Sequence, residues 1–542
     1  MIITPLQLWQ GFDANKLAFG ESIVHERVHG NFSEQYVYFN GIESTDGVIR
    51  VCCKLYRPLK KPNGAAVLVM DDLYNTIDTF NPADYIAKGF SVLVVDYAGK
   101  RSETMRYTLY PPSIGFCNFH LDNATLYNTE NPYGSCWYMW GVVALRAVAF
   151  LEHLGFENRF MIGIGAASEH VYKVCYKDNA LKAAVTIFSS GMLHSENLNY
   201  NASLDAASYA LNLKAPIFIQ AASNELNNSL EYISELYNTA NAYSGTRLSI
   251  IEHSLRHIDY KRTSNPLIWF LLFLEEENYS ALDENHLYEC PPSVIIRESE
   301  KKLYCDVVVP NINSIESLQL FVASSGEKSS LLYWRATDMQ KISDTEYLAT
   351  LSSFGTDMPI YAFVTAKYKN GLYFSSNVAR YSSEKTVTAS TDKSKNQKPF
   401  KRLIYDTDKG TSNVFIPNST KKEHELLIKE GPLELSGLTS TSNKVGSFVL
   451  ADKEFKPTTN LELQFMMFSK EAQEITFSIL CAKTLNYYFC QKPKAAGSGW
   501  EKLTVSPEDF KSDTGNLKDW NTALLLTIES QKEVLINSIL WT

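Results

Sequence analysis

The chain has 542 residues, of which 45% are hydrophobic and 20% charged, with a formal net charge of −9. That length suits about three or four domains at ~150 residues each, every one large enough for its own core. The acidic balance argues against nucleic acid and anionic membrane as partners, since both recruit a basic face. No apolar run approaches the ~20 residues needed to span a bilayer.

The segment Met1 to Gln10 lacks a basic n-region and an uninterrupted apolar stretch. No secretion signal is read there, and a cytoplasmic location is expected. The nine cysteines are an odd number with no C-x-x-C pair, so reduced thiols are expected.

From Ala65 to about Glu275, short β-rich apolar runs alternate with helical patterns. The runs are 65–70, 90–96, 159–163, 183–188, 215–220 and 247–251. Being continuous rather than alternating, they suit strands buried on both faces of a mainly parallel sheet. Helices are expected over 141–151, 227–240 and 265–274, giving an α/β architecture with helices on both faces. From Pro291 the character changes to short strands, at 303–309, 317–322, 331–334, 347–351 and 360–365, with a turn at Asn370-Gly371. About 90 residues of this kind suggest a small immunoglobulin-like sandwich. Residues Ser382 to Lys401 are Ser-, Thr-, Lys- and Asp-rich and read as a solvated linker. Beyond it, runs at 445–450, 461–468, 475–481, 485–490, 524–528 and 534–541 suit a jelly roll. The expected division is an α/β-hydrolase-like domain over 1–288, a sandwich over 289–381, a linker over 382–408 and a jelly roll over 409–542.

The most informative run is Arg159 to Val174, which reads as a buried strand followed by the opening of a helix. This is the setting of a G-x-S-x-G nucleophile elbow, with Gly165 where the serine belongs. Glycine adopts the strained elbow conformation without steric cost, so the turn survives without its chemistry.

Leu8-Trp9 with Phe12-Asp13, the phrase Asp46 to Arg50, Gly89-Phe90 ahead of Asp96, and Trp140 with Leu145-Arg146 add to the elbow. On these residues the first domain resembles the acetyl (xylan) esterase and dienelactone hydrolase-like branch of the α/β-hydrolases. The last module, with Gly499 to Leu503, Asp509-Phe510 and Ile539 to Trp541, resembles carbohydrate-binding-type jelly rolls. The first resemblance implies an acid after one late strand and a histidine after the next. Glu225 fits the acid position and His253 the histidine, with His257 as the alternative. Where the family often has His-Gly-Gly, this chain has Met70-Asp71-Asp72, and a carboxylate there opposes a developing oxyanion. Asp71, Asp72, Ala166 and His257 are the expected binding residues around the vacant position.

Ser168 is a candidate displaced nucleophile, nearly one helical turn past Gly165; its plainer role is local hydrogen bonding in the first helical turn. Glu169 and His170 follow it and are expected to face solvent or line a pocket. The histidines show no H-E-x-x-H or comparable cluster, so no metal is expected. No cofactor is expected either, because Gly163-x-Gly165 lacks the later glycine and basic residue of a phosphate loop. Tyr487, Tyr488 and Trp500 could stack on a sugar ring, but core packing is the expected role of each.

The expected function is that of an esterase-like protein without a nucleophile, binding an acylated or carbohydrate-related ligand. Two alternatives stand beside it. One is an active carbohydrate esterase using Ser168 or a His253-activated water; the other is a structural role with a collapsed pocket. Oligomeric state is left open.

Overall fold

The computed structural model describes the chain apart from positions 1, 102–104, 120–130, 179–180, 189–196, 226–228, 256–261, 276–289, 301, 311–313, 325–330, 352–357, 383–399, 412, 418–423, 458–460 and 498. The first domain is built on nine strands: β1 (Ser22–His29), β2 (Phe32–Ser44), β3 (Gly47–Pro58), β4 (Ala65–Met70), β5 (Ser91–Val95), β6 (Asn158–Ile164), β7 (Leu181–Ile187), β8 (Ile217–Ala222) and β9 (Arg247–Ile251). They form one sheet in the order β1-β2-β3-β5-β4-β6-β7-β8-β9. Pairing is antiparallel from β1 to β5 by way of β2 and β3, and parallel from β5 onward. The sheet is therefore mixed but mainly parallel: β4 to β9 are mutually parallel as expected, and β1 to β3 extend them as an antiparallel flank.

The continuous apolar runs became central strands because both of their faces are covered. Leu68 and Met70 of β4 enter a core that also holds Trp137 and Trp140 of the helix Cys136–His153. Val67 and Val69 enter the opposite core, with Trp269 and Phe270 of the helix Asn265–Glu275. Among the described residues no helix is long and apolar enough to cross a membrane.

Strand order places the loops that matter. The chain leaves β4 for β5 on one side and later returns to β6 on the other, so the loops after β4 and β6 share one crevice at the carboxyl end of the sheet. Met70 lies level with Gly163 in that register. Likewise Ala222 of β8 lies level with Ile251 of β9. β7 lies between β6 and β8, so the elbow turn and the loops after β8 and β9 start from different strands along the same edge.

The second module contains a four-stranded and a five-stranded antiparallel sheet, and its core mixes residues of both, such as Cys305 and Val307 with Val322 and Val364. The run 331–334 is not a strand. Leu332, Tyr333 and Trp334 are buried, but their burial comes from docking: the Leu332 carbonyl accepts from Asn224 Nδ2 at 2.7 Å. The last module has two six-stranded antiparallel sheets sharing another core. Leu403–Asp406, inside the expected linker, is a strand that pairs with Leu535–Trp541. Ile404 and Tyr405 are buried there, so the module starts before position 409. Arg335 of the second module is ion-paired with Asp452 and Glu454 of the last, which fixes the two against each other.

Candidate functional site

The strand–turn–helix expected at the elbow is present. β6 ends at Ile164, Gly165–Ala167 makes one tight turn, and the helix Ser168–Lys177 begins at once. Gly165 has φ +59°, the left-handed conformation that disfavours side chains. Gly163 serves close packing instead: a Cβ there would meet Val171 Cγ2 at 2.6 Å and the Ala167 carbonyl at 2.7 Å. The two glycines let the helix sit directly on its strand.

In an elbow the N–H after the nucleophile points at the substrate oxyanion. Here that N–H belongs to Ala166, and it donates to Asp72 Oδ1 at 3.2 Å. The same oxygen accepts from Leu73 N at 2.9 Å. The β4–β6 register brings the first residues after β4 beside the turn after β6, which is why Asp72 reaches it. A fixed carboxylate oxygen therefore stands where the oxyanion of an ester intermediate would need to be.

The surroundings reinforce that sign. Asp71 is 9% exposed and accepts from Asn75 Nδ2 and Thr79 Oγ1, each at 2.9 Å. Asp96 follows β5, where burial pushes its carboxyl up to about 6, opposed by the Thr108 N–H, the Arg101 guanidinium and the Gly99 N–H. Burial together with these three aspartates holds the Tyr97 phenol well above its usual range. The cavity among these groups is about 10 Å³, the scale of a single water, against the ~300–1,000 Å³ of ordinary ligand pockets.

Ser168 is 0% exposed. Its hydroxyl lies 2.9 Å from the Gly163 carbonyl and 3.4 Å from that of Ile187, bonds that tie the helix to β6 and β7. This corrects the displaced-nucleophile expectation: the hydroxyl faces backbone carbonyls, not an imidazole. Glu169 and His170, expected at solvent or in a pocket, are also 0% exposed. Glu169 lies 3.9 Å from the buried Lys173, and His170 packs edge-on to Tyr97 and Trp140 and tilted against Trp137. The helix Cys136–His153 covers this face of the elbow helix, which neighbour spacing in sequence did not reveal.

Glu225 follows β8 and is 2% exposed, and His253 follows β9 and is 7% exposed. Their loops touch: Ser223 N donates to the Ile251 carbonyl at 2.9 Å and Asn224 N to that of Ser254 at 2.8 Å. The His253 ring, however, turns to the β-modules. It stacks on Tyr333 (6.0 Å between centroids) and Phe415 (6.2 Å) and meets Phe321 edge-on. Burial lowers its pKa to about 4, with Glu252 opposing, and Nε2 has no hydrogen-bond partner among the described residues. His257 lies outside the described residues. The structure thus joins Gly165, Ala166, Asp71 and Asp72 in one crevice, while His253 faces a second and far larger space of about 820 Å³ bordered by all three modules. Sequence reasoning missed that space, because its walls come from many short segments of three modules that meet only after folding.

The lowered pKa of His253 has a consequence for stability. Between about 4 and the usual 6.5, the unfolded chain binds a proton that the folded chain refuses, so stability rises with pH across this window and is lost on acidification. The loss is on the order of 3 kcal/mol for His253 alone. Asp96 acts with the opposite sign between about 6 and 3.8 and offsets part of it. Urea unfolding at pH 7, 5 and 4 is expected to show a steeper acid loss in wild type than in His253→Phe; equal slopes would contradict the burial of a neutral imidazole.

No family model and no curated protein matches the chain. Among solved structures, it is similar to an acetyl xylan esterase from Paenibacillus sp. R4 at 11% identity, covering 48% of this chain and 90% of that one, with a TM-score of 0.40. It is also similar to acetyl xylan esterase 1 from Thermoanaerobacterium sp. JW/SL YS485, at 10% identity, 51% and 94% coverage and a TM-score of 0.39. An S-formylglutathione hydrolase from Agrobacterium tumefaciens gives 13% identity, 43% and 90% coverage and a TM-score of 0.31. These neighbours are esterases and related hydrolases, but at such TM-scores they carry no argument, and the reading of the fold rests on strand order and the elbow turn.

Proposed function

We propose that the first domain is a catalytically inactive member of the α/β-hydrolase superfamily, and that the protein acts by binding an acylated or carbohydrate-related ligand. The observation that carries this reading is the bond from Ala166 N to Asp72 Oδ1 beside a nucleophile position held by Gly165. Covalent acyl transfer needs a nucleophile, a base and free oxyanion donors. The first is missing, the second is stacked among β-module aromatics, and one of the third is already engaged by a negative charge.

The alternative with a His253-activated water gains little support. An imidazole with a pKa of about 4 is a weak base at neutral pH. Intact-mass analysis after treatment with a fluorophosphonate probe tests the proposal. Unmodified wild-type protein is the expected result, with hydrolysis of p-nitrophenyl acetate no faster than in buffer. A stoichiometric adduct on any serine overturns it.

A further inference from the structure

We infer that the large space between the modules is a binding site for a neutral, polyhydroxylated ligand of the oligosaccharide class. This rests on the binding reading above and moves the site away from the elbow. The space is about 820 Å³, within the ~300–1,000 Å³ of ligand pockets. One wall is the outward face of a second-module sheet, carrying Ser317, Gln319 and Thr365. Facing it is a sheet of the last module, with Thr476, Ser478 and Thr527. The loop after β9 closes one side with His253, whose Nε2 is without a partner among the described residues although the residue is 7% exposed.

The lining selects by elimination. A wholly apolar ligand would suit Phe321, Val414, Phe415 and Ile416 but would desolvate the hydroxyls of both walls and the Gln319 amide without replacing their hydrogen bonds. An anionic ligand would need an uncommitted cation, yet the lysines and the arginine of the described lining are already paired. Arg262 lies 2.6 Å from Glu252, Lys444 lies 2.8 Å from Glu529, and Lys367 lies 2.6 Å from Glu316. A neutral ligand rich in hydroxyls matches such a surface, donating to and accepting from the same side-chain types it carries itself.

The aromatic content fits the apolar faces of sugar rings. Tyr487 and Phe489, on the strand Tyr487–Lys494, are 38% and 52% exposed and stack with centroids 6.2 Å apart. Exposed neighbouring aromatics of this size make a platform rather than a core. Phe415 continues the aromatic lining and leads to His253. Of the other aromatics suspected from sequence, Tyr488 is buried, and Trp500 is half-buried with Nε1 donating to the Pro432 carbonyl at 2.9 Å. Only Tyr487 among the three reaches this space.

Native affinity electrophoresis of the full chain tests the inference, in gels containing a mixed-linkage β-glucan, an arabinoxylan, a galactomannan or a soluble starch, with polygalacturonate as the anionic counterpart. At least one neutral polysaccharide should retard wild type. Phe489→Ala, a surface change that spares the core, should weaken that retardation about tenfold, the equivalent of ~1.4 kcal/mol. Tyr74→Ala, on an exposed first-domain side chain, should leave it unchanged. No retardation in any neutral gel, retardation by polygalacturonate alone, or retardation indifferent to Phe489→Ala each overturns the inference. A fluorophosphonate adduct with polysaccharide binding intact would instead overturn the inactive reading of the first domain and leave this site standing.

Discussion

A serine introduced at the elbow will not create an esterase. Gly165→Ser supplies the missing hydroxyl at the cost of roughly 1–2 kcal/mol for a side chain in the left-handed region. The hydroxyl then meets an oxyanion donor, Ala166 N, that is already bonded to Asp72. Forfeiting one such donor costs about 10²- to 10³-fold in rate, and here the occupant is a carboxylate that repels the charge to be stabilised. His253, the histidine of the expected triad, has its ring stacked on Tyr333 and Phe415 and its pKa lowered to about 4, which makes it a weak base at neutral pH. The expected result is no fluorophosphonate adduct on the introduced hydroxyl and acetate-ester hydrolysis at the buffer background. Adding Asp72→Ala frees the N–H but not the base, so the double variant should remain unlabelled as well. An adduct in the single variant would show that the carboxylate and the imidazole both rearrange in solution.

Replacing Arg146 should cost the first domain a large part of its stability. The residue is 1% exposed on the helix Cys136–His153. Its Nε donates to the Asn40 carbonyl at 3.1 Å, and Nη2 donates to that carbonyl at 2.6 Å and to Leu17 O at 3.0 Å. Nη1 donates to Ala14 O, and the guanidinium lies 4.0 Å over the Phe19 ring. Burial lowers its pKa to about 10, which still leaves it charged at neutral pH. Arg146→Met fills similar volume but leaves three part-buried carbonyls without their donor, so a loss of about 3 kcal/mol is expected, roughly 1 kcal/mol for each. Arg146→Lys should recover only part of this, because an ammonium cannot reproduce the planar fork. Urea unfolding followed by fluorescence, with proteolysis after Lys16 as a local probe, checks the result. A loss below about 1 kcal/mol would mean that the N-terminal segment does not depend on this anchor.

The two results bear on how far the chain could be read before folding. Strands β4 to β9 were legible because their runs are short and apolar on both faces, the composition that suits a doubly covered strand. β1 to β3 were not: β1 is almost wholly exposed, with His25, Glu26 and Arg27 along it, so no burial pattern marks it. The run 331–334 misled in the opposite direction, because aromatics that wedge between domains look like a strand. At the elbow, the glycine and the neighbouring aspartates were visible one at a time. Their contact was not, since it depends on the β4–β6 register. Ser168 showed the same limit, as three residues along a helix specifies an angle but not which carbonyls wait there.

The strand Leu403–Asp406 bears on the order of events at the ribosome. Its partner is Leu535–Trp541, the far end of the same module, and the Trp541 indole donates to the Phe455 carbonyl at 2.7 Å from deep inside. Pairings this distant in sequence are slow, because loop closure precedes any reward from contact. The last module cannot close until its final strand has emerged, whereas the first domain can already be folded by then.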